Sequence, residues 1–105
     1  MRLTDFCRYM QHPELRDDQP LYLFDQYFDR RAPQIAQEYT VPEYFQEDLF
    51  AVCGADRPDY RWIIVGPARS GSTFHIDPNC TSAWNAVLKG RKKWVMFPPG
   101  QPPPG

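Results

Sequence analysis

The chain is short of histidine and cysteine, and its second half is nearly without acid; each shortage narrows what it can do. Its 105 residues hold two histidines, His12 and His75, and none follows His75. The three cysteines, Cys7, Cys53 and Cys80, are odd in number and widely spaced, with no CxxC pair. Such a set builds neither a disulfide framework nor a zinc knuckle, and it suits a reducing compartment. No apolar run approaches the roughly 20 residues that cross a bilayer. The opening Met1-Arg-Leu-Thr-Asp has no signal-peptide h-region. We therefore expect a soluble, intracellular protein with no membrane partner.

Acid is confined almost wholly to the first part. Residues 1–60 carry six Arg against twelve Asp or Glu, 6 − 12 = −6, whereas residues 61–105 carry six Arg or Lys against Asp77 alone, 6 − 1 = +5. A basic field of this kind favours an anionic small molecule or an acidic partner, and it also suits a plain solvated hairpin. The 42% hydrophobic and 15% aromatic content supports a globular core. Five of the twelve prolines fall within residues 98–105, so the folded part is expected to end near Phe97, with a polyproline-like tail beyond it.

Periodicity predicts a helix from about Thr4, as N-cap, to Gln11, with Phe6, Tyr9 and Met10 on one side and Pro13 and Pro20 bracketing its exit. Leu21 to Phe24 looks like a strand, Ala32 to Tyr39 a helix that stops before Val41-Pro42, and Tyr44 to Phe50 a turn or short helix. From Tyr60 the texture turns to β: Arg61 to Val65 is β-branched and aromatic and closes on Gly66-Pro67. Three further strands are predicted at Ser72–Asp77, Ser82–Leu88 and Lys92–Phe97, the last two joined by the Lys89-Gly90-Arg91 turn of a hairpin. There is no internal repeat.

The chemistry concentrates in that β-rich part. In an extended segment, His75 and Asp77 leave the same face while Ile76 points into the opposite layer. An imidazole and a carboxylate on one strand edge are two thirds of the two-His, one-carboxylate triad that holds non-haem Fe(II). A lone HxD also serves simple structural roles. Lys92 points opposite to Arg91 and Lys93 and, where Trp94 shares its face, inward. A lysine in a β-enclosed pocket needs an anion, although a basic run can instead snorkel to water. Asn85, in the apolar strand between Trp84 and Ala86, needs partners for its amide, from a ligand or from backbone. Ser72 and Thr73 place short hydroxyls beside the pair, or form a polar turn after Arg69-Ser70.

Several blocks, in order, resemble one family. They are Arg16-Asp-Asp-Gln-Pro-Leu-Tyr-Leu-Phe-Asp25, Val41-Pro-Glu-Tyr-Phe45, Asp48-Leu-Phe50, Tyr60-Arg-Trp62, Gly66-Pro67, Arg69-Ser-Gly71, and His75-Ile-Asp-Pro78 through Thr81-Ser-Ala-Trp-Asn-Ala86. The chain is similar to the JmjC-domain 2-oxoglutarate oxygenases, in the branch of the bifunctional arginine demethylases and lysyl hydroxylases. The resemblance implies a mainly β fold with N-terminal helices: a partial double-stranded β-helix, or cupin-like jelly-roll, whose C-terminal half is absent. On this basis residues 1–59 form an N-terminal segment packing on the JmjC core, 60–97 the first part of the jelly-roll and 98–105 the Pro-rich tail.

Carried over by position, the resemblance makes His75 and Asp77 ligands of Fe(II) and Lys92 the cation for the distal carboxylate of 2-oxoglutarate. Asn85, Tyr22, Ser72 and Thr73 would complete the co-substrate site. Ser72 stands where the branch commonly has threonine. The implied chemistry is Fe(II)- and 2-oxoglutarate-dependent use of O2 to hydroxylate lysyl side chains, or to demethylate arginine or histone substrates. The implied partners are basic proteins or peptides, with nuclear or RNA-processing associates and a nuclear location. A jelly-roll closes with about eight strands, so this activity is expected of a longer protein or a partnered chain. Two alternatives accompany it: an inactive JmjC module acting as an interaction scaffold, and a cupin-type metal isomerase or storage domain. The latter does not account for the Arg69-Ser-Gly71 and Trp84-Asn85 blocks.

Overall fold

A computed structural model describes residues 1–12, 14 and 17–104. Pro13, the expected helix exit, and Arg16, the start of the first family block, lie outside the described residues. The chain divides into two compact units, Met1–Gly71 and Ser72–Gly105.

In the first unit, α1 (Leu3–Met10) carries Phe6 on its inner face, 3% exposed. The Phe6 and Tyr9 rings stack at 6.1 Å. Asp5 in the first turn and Arg8 in the last complement the helix dipole and pair with each other at 3.6 Å. Thr4 is not the cap. The extended backbone of Arg2 starts the helix instead, and its carbonyl accepts the N–H groups of Asp5 and Phe6, both at 3.1 Å. Thr4 is thereby already inside the first turn. Tyr9 ties α1 to the following chain: its hydroxyl donates to Asp17 Oδ2 and accepts the N–H of Leu21, each at 2.8 Å.

The sheet of this unit is one antiparallel pair, β1 (Leu23–Asp25) and β2 (Ile63–Val65), in the register Leu23↔Val65, Phe24↔Ile64, Asp25↔Ile63. Phe24 contacts Tyr22 edge-on at 6.3 Å and Trp62 at 5.9 Å, as the two-residue alternation requires. Asp25 then turns the chain, its Oδ1 accepting the N–H of Tyr27 at 2.8 Å. Two short helices follow, α2 (Phe28–Arg31) and α3 (Pro33–Gln37), the latter opened by a proline at its first position. Phe28, 7% exposed, is the second buried apolar residue. Single-turn and kinked 3-10 segments occupy Glu43–Phe45 and Leu49–Asp56, as the Tyr44 to Phe50 pattern predicts.

Arg61, just before β2, is clasped at 2.6 Å by Asp29 of α2 across 32 residues of chain. Burial pulls its guanidinium pKa down, but the hydrogen bond with Tyr39 and the fields of Tyr60, Tyr39 and Asp29 outweigh this and raise it. Arg61 therefore stays charged where the chain enters β2. Gly66 follows β2 in a tight spot. A Cβ there would overlap Ser70 Oγ and lie 2.8 Å from Tyr22 Cβ. Gly66→Ala is therefore expected to cost about 1–3 kcal/mol through overpacking, read as a lower urea midpoint at unchanged slope. Wild-type stability in this variant would remove Gly66 as the constraint on Tyr22.

The second unit departs most from expectation. Ser72–Asp77, Ser82–Leu88 and Lys92–Phe97 form no ladder, residues 88–90 make a bend rather than a hairpin turn, and Pro78–Cys80 is a 3-10 turn. The described residues thus make a two-stranded sheet with several helices, and the jelly-roll is not among them. The cause lies in what a strand is. β-branched and aromatic residues supply the propensity, but a strand exists only where a neighbour takes its N–H and C=O groups. β1 meets β2, whereas these three segments meet no partner strand. Ile76, expected in an opposite layer, is 83% exposed for the same reason.

Candidate metal site

Asp77 ends an extended segment (φ −61°, ψ 145°), as a residue before proline must. Beyond it the chain reverses through Asn79 and Cys80, both left-handed at φ 57° and 53°. The turn is closed by bonds from Cys80 N–H to the Asp77 carbonyl at 3.0 Å and from Thr81 Oγ1 to the Pro78 carbonyl at 3.0 Å. His75 sits two residues before Asp77, and its ring is held at both nitrogens. Nδ1 lies 2.6 Å from the Thr73 carbonyl and Nε2 lies 3.1 Å from Asp77 Oδ1.

Those two contacts define the ring's chemistry. A carbonyl only accepts, so Nδ1 carries a proton and donates it to Thr73. Neutral imidazole then presents a bare lone pair at Nε2 toward a carboxylate oxygen. Nε2 and Asp77 Oδ1 are then the two atoms of the pair that could share one ion. The geometry suits the metal: two cis ligands about 2.1 Å from one octahedral ion lie about 3 Å apart. An Nδ1–H bonded to a backbone carbonyl is also the usual outer-sphere support of a metal-bound histidine. Among the described residues no group of three or more His, Cys, Asp or Glu forms a metal cluster. The pair thus fits one edge of an Fe(II) coordination sphere.

Next to it lies a cleft of about 470 Å³ lined by Asp77, Ser82, Ala83, Asn85, Trp94 and Met96. Asn85 is exposed rather than buried, so its amide faces open space instead of a strand interior. Lys92 is exposed as well, not enclosed, and its ammonium lies 4.1 Å from the centre of the Trp94 ring. Phe74 packs edge-on against Phe97 at 5.2 Å, bringing the His75 segment beside the end of the Lys92 segment.

The predicted residues thus separate into groups. His75 meets Asp77 and the Thr73 backbone, Asp77 and Asn85 share the cleft, and Lys92 meets Trp94. Ser72 stands exposed at the head of the unit. Tyr22 belongs to the first unit, half-buried against Phe24 and beside Gly66. Ser82 and Met96 line the cleft without having been singled out from sequence. The alternation Lys92, Trp94, Met96 was the available signal for the latter.

The sequence is similar over most or all of its length to several named proteins. It is 60% identical over 105 residues to the arginine-specific demethylase JMJ22 of Arabidopsis thaliana, covering all of this chain and 20% of that protein. Identity is 49% over 90 residues to the bifunctional arginine demethylase and lysyl-hydroxylase psr-1 of Caenorhabditis briggsae, covering 83% of this chain and 23% of the relative. It is 41% over 83 residues to the human 2-oxoglutarate and iron-dependent oxygenase JMJD4, covering 77% and 20% respectively. The chain thus spans about a fifth of the length of these relatives. No family model and no solved structure matches it.

Proposed function

Because the chain belongs to the JmjC 2-oxoglutarate and iron-dependent oxygenases, we propose that it supplies the proximal half of such an enzyme's metal and co-substrate site. The observation that carries this is the His75 Nε2 to Asp77 Oδ1 separation of 3.1 Å, with Nδ1 tied to Thr73. Bound Fe(II), with 2-oxoglutarate and O2, supplies the oxidising power that places oxygen into a C–H bond. His75 and Asp77 hold one edge of the ion, and the Thr73 carbonyl keeps Nε2 as the ligating nitrogen. Lys92 offers its ammonium to the far carboxylate of the co-substrate, and the exposed Asn85 amide donates beside it. The hydroxyls of Ser72 and Thr73 complete that binding site. In the whole domain, segments 72–77, 82–88 and 92–97 gain partner strands and become part of a double-stranded β-helix.

The substrate is a protein or peptide side chain of lysine or methylated arginine, giving lysyl hydroxylation and/or arginine or histone demethylation. That chemistry matches the activities for which the demethylase and lysyl-hydroxylase relatives are named. A nuclear site of action, with RNA-processing or chromatin partners, follows from such substrates. The test is to incubate the full-length gene product with Fe(II), 2-oxoglutarate and basic peptides while following succinate. Gain of one oxygen on lysine marks hydroxylation, and formaldehyde with loss of a methyl marks demethylation. Absence of succinate with both peptide classes would overturn the proposal.

A further inference from the structure

We propose that Trp94 is the positioning residue that fixes where the Lys92 ammonium stands, and so sets the length of diacid the site accepts. This rests on Lys92 being the co-substrate's cation, as proposed above. Lysine carries its charge on a flexible four-carbon stem, and an exposed lysine ordinarily samples many rotamers. Lys92 is exposed, and among the described residues no carboxylate lies within ion-pair distance of it. Its ammonium nevertheless has a defined seat 4.1 Å from the centre of the Trp94 ring. The negative face of an indole is the strongest of the aromatic cation seats.

The ring has a second task at the same place. Trp94 and Met96 form one wall of the cleft whose other residues include Asp77 and Asn85. Lys92, two residues before Trp94, meets the same ring with its ammonium. Trp94 therefore touches both the cleft that Asp77 also lines and the Lys92 ammonium. A 2-oxo diacid bridging the two has its reach set by where the ring holds the charge. Freed from the ring, the lysine stem adjusts to diacids of several lengths and favours none.

The experiment compares the full-length protein with its Trp94→Phe, Trp94→Leu and Lys92→Met variants under anaerobic Fe(II). Affinity is measured calorimetrically for 2-oxoglutarate and for the 2-oxo diacids one methylene shorter and longer. Trp94→Leu is expected to weaken 2-oxoglutarate about fivefold, leave the other two within about twofold, and so flatten the discrimination. Trp94→Phe, which keeps a weaker ring seat and the fold, falls between. Equal weakening of all three diacids in both ring variants, or unchanged discrimination, would overturn the role of Trp94 while Lys92→Met still abolishes binding. If Lys92→Met binds 2-oxoglutarate like the parent, the assignment of Lys92 fails, and that of Trp94 with it.

Discussion

Full-length protein carrying His75→Ala is expected to release no measurable succinate, and Asp77→Ala to match it. Removing an outer-sphere partner of a metal ligand typically costs about 10–100-fold in affinity or activity. Removing a proposed ligand is expected to go further, because one of the two donors assigned to this chain is lost and the survivor also loses its geometry. Without Asp77, Nε2 of His75 faces no carboxylate; without the ring, Asp77 loses the contact that sets its oxygen at 3.1 Å. The internal control is His12, the other histidine, which is exposed and accepts the N–H of Glu14 at Nδ1. His12→Ala should retain wild-type turnover. Succinate release by NMR, with Fe(II) content measured in parallel, decides the matter: unchanged turnover in His75→Ala would remove the metal assignment.

Phe28→Ala should cost about 3–5 kcal/mol, the range for deleting a buried aromatic ring. Whole domains are stable by only about 5–15 kcal/mol, so one such loss is a large fraction of the total. Among the described residues Phe6 and Phe28, at 3% and 7% exposed, reach the interior together with Pro20, whereas Leu3, Tyr44 and Leu49 remain open to solvent. A core this thin has no redundancy. Substituting Ile76, which is 83% exposed, should shift stability by no more than about 0.5 kcal/mol. Urea unfolding of the two variants gives the comparison directly. Equal midpoints would show that Phe28 is not the keystone its burial implies.

The contrast between Phe28 and Ile76 also shows which parts of the molecule were legible beforehand. Local signals were sufficient where local forces decide: α1 follows from the spacing of Phe6, Tyr9 and Met10, and β2 from the apolar run before Gly66-Pro67. The same holds for the 3-10 turns after Val41-Pro42. They failed where a partner decides. Residues 82–88 and 92–97 have the composition of strands, yet the backbone forms no hairpin, since propensity does not provide the opposing N–H and C=O groups. α2 went unforeseen because Phe28–Arg31 is too short for a helical period to register, and the Asp25 turn that launches it is a matter of side-chain geometry.

At the site, the alternation rule placed His75 beside Asp77 and Lys92 beside Trp94, because a two-residue period needs only extended backbone and no pairing. It did not foresee the Thr73 carbonyl on Nδ1, a contact that composition does not encode. For Lys92 the solvent-facing alternative is the one observed, whereas the exposure of Asn85 was not foreseen.

The turn at Asn79 and Cys80 bears on how iron would be gained and kept. Two successive left-handed residues are uncommon outside glycine, and here they send the chain away immediately after Asp77. The Asp77 backbone is therefore anchored by the turn behind it, and the imidazole is anchored by Thr73. If the pair holds iron as proposed, chelation would begin with its bite already set, and an arriving ion need not gather two loose arms. Capture can then proceed in stages, with the ion first seated on a ready two-toothed grip and afterwards closed over by a third donor. In such a sequence the third donor governs how slowly iron leaves more than how readily it arrives.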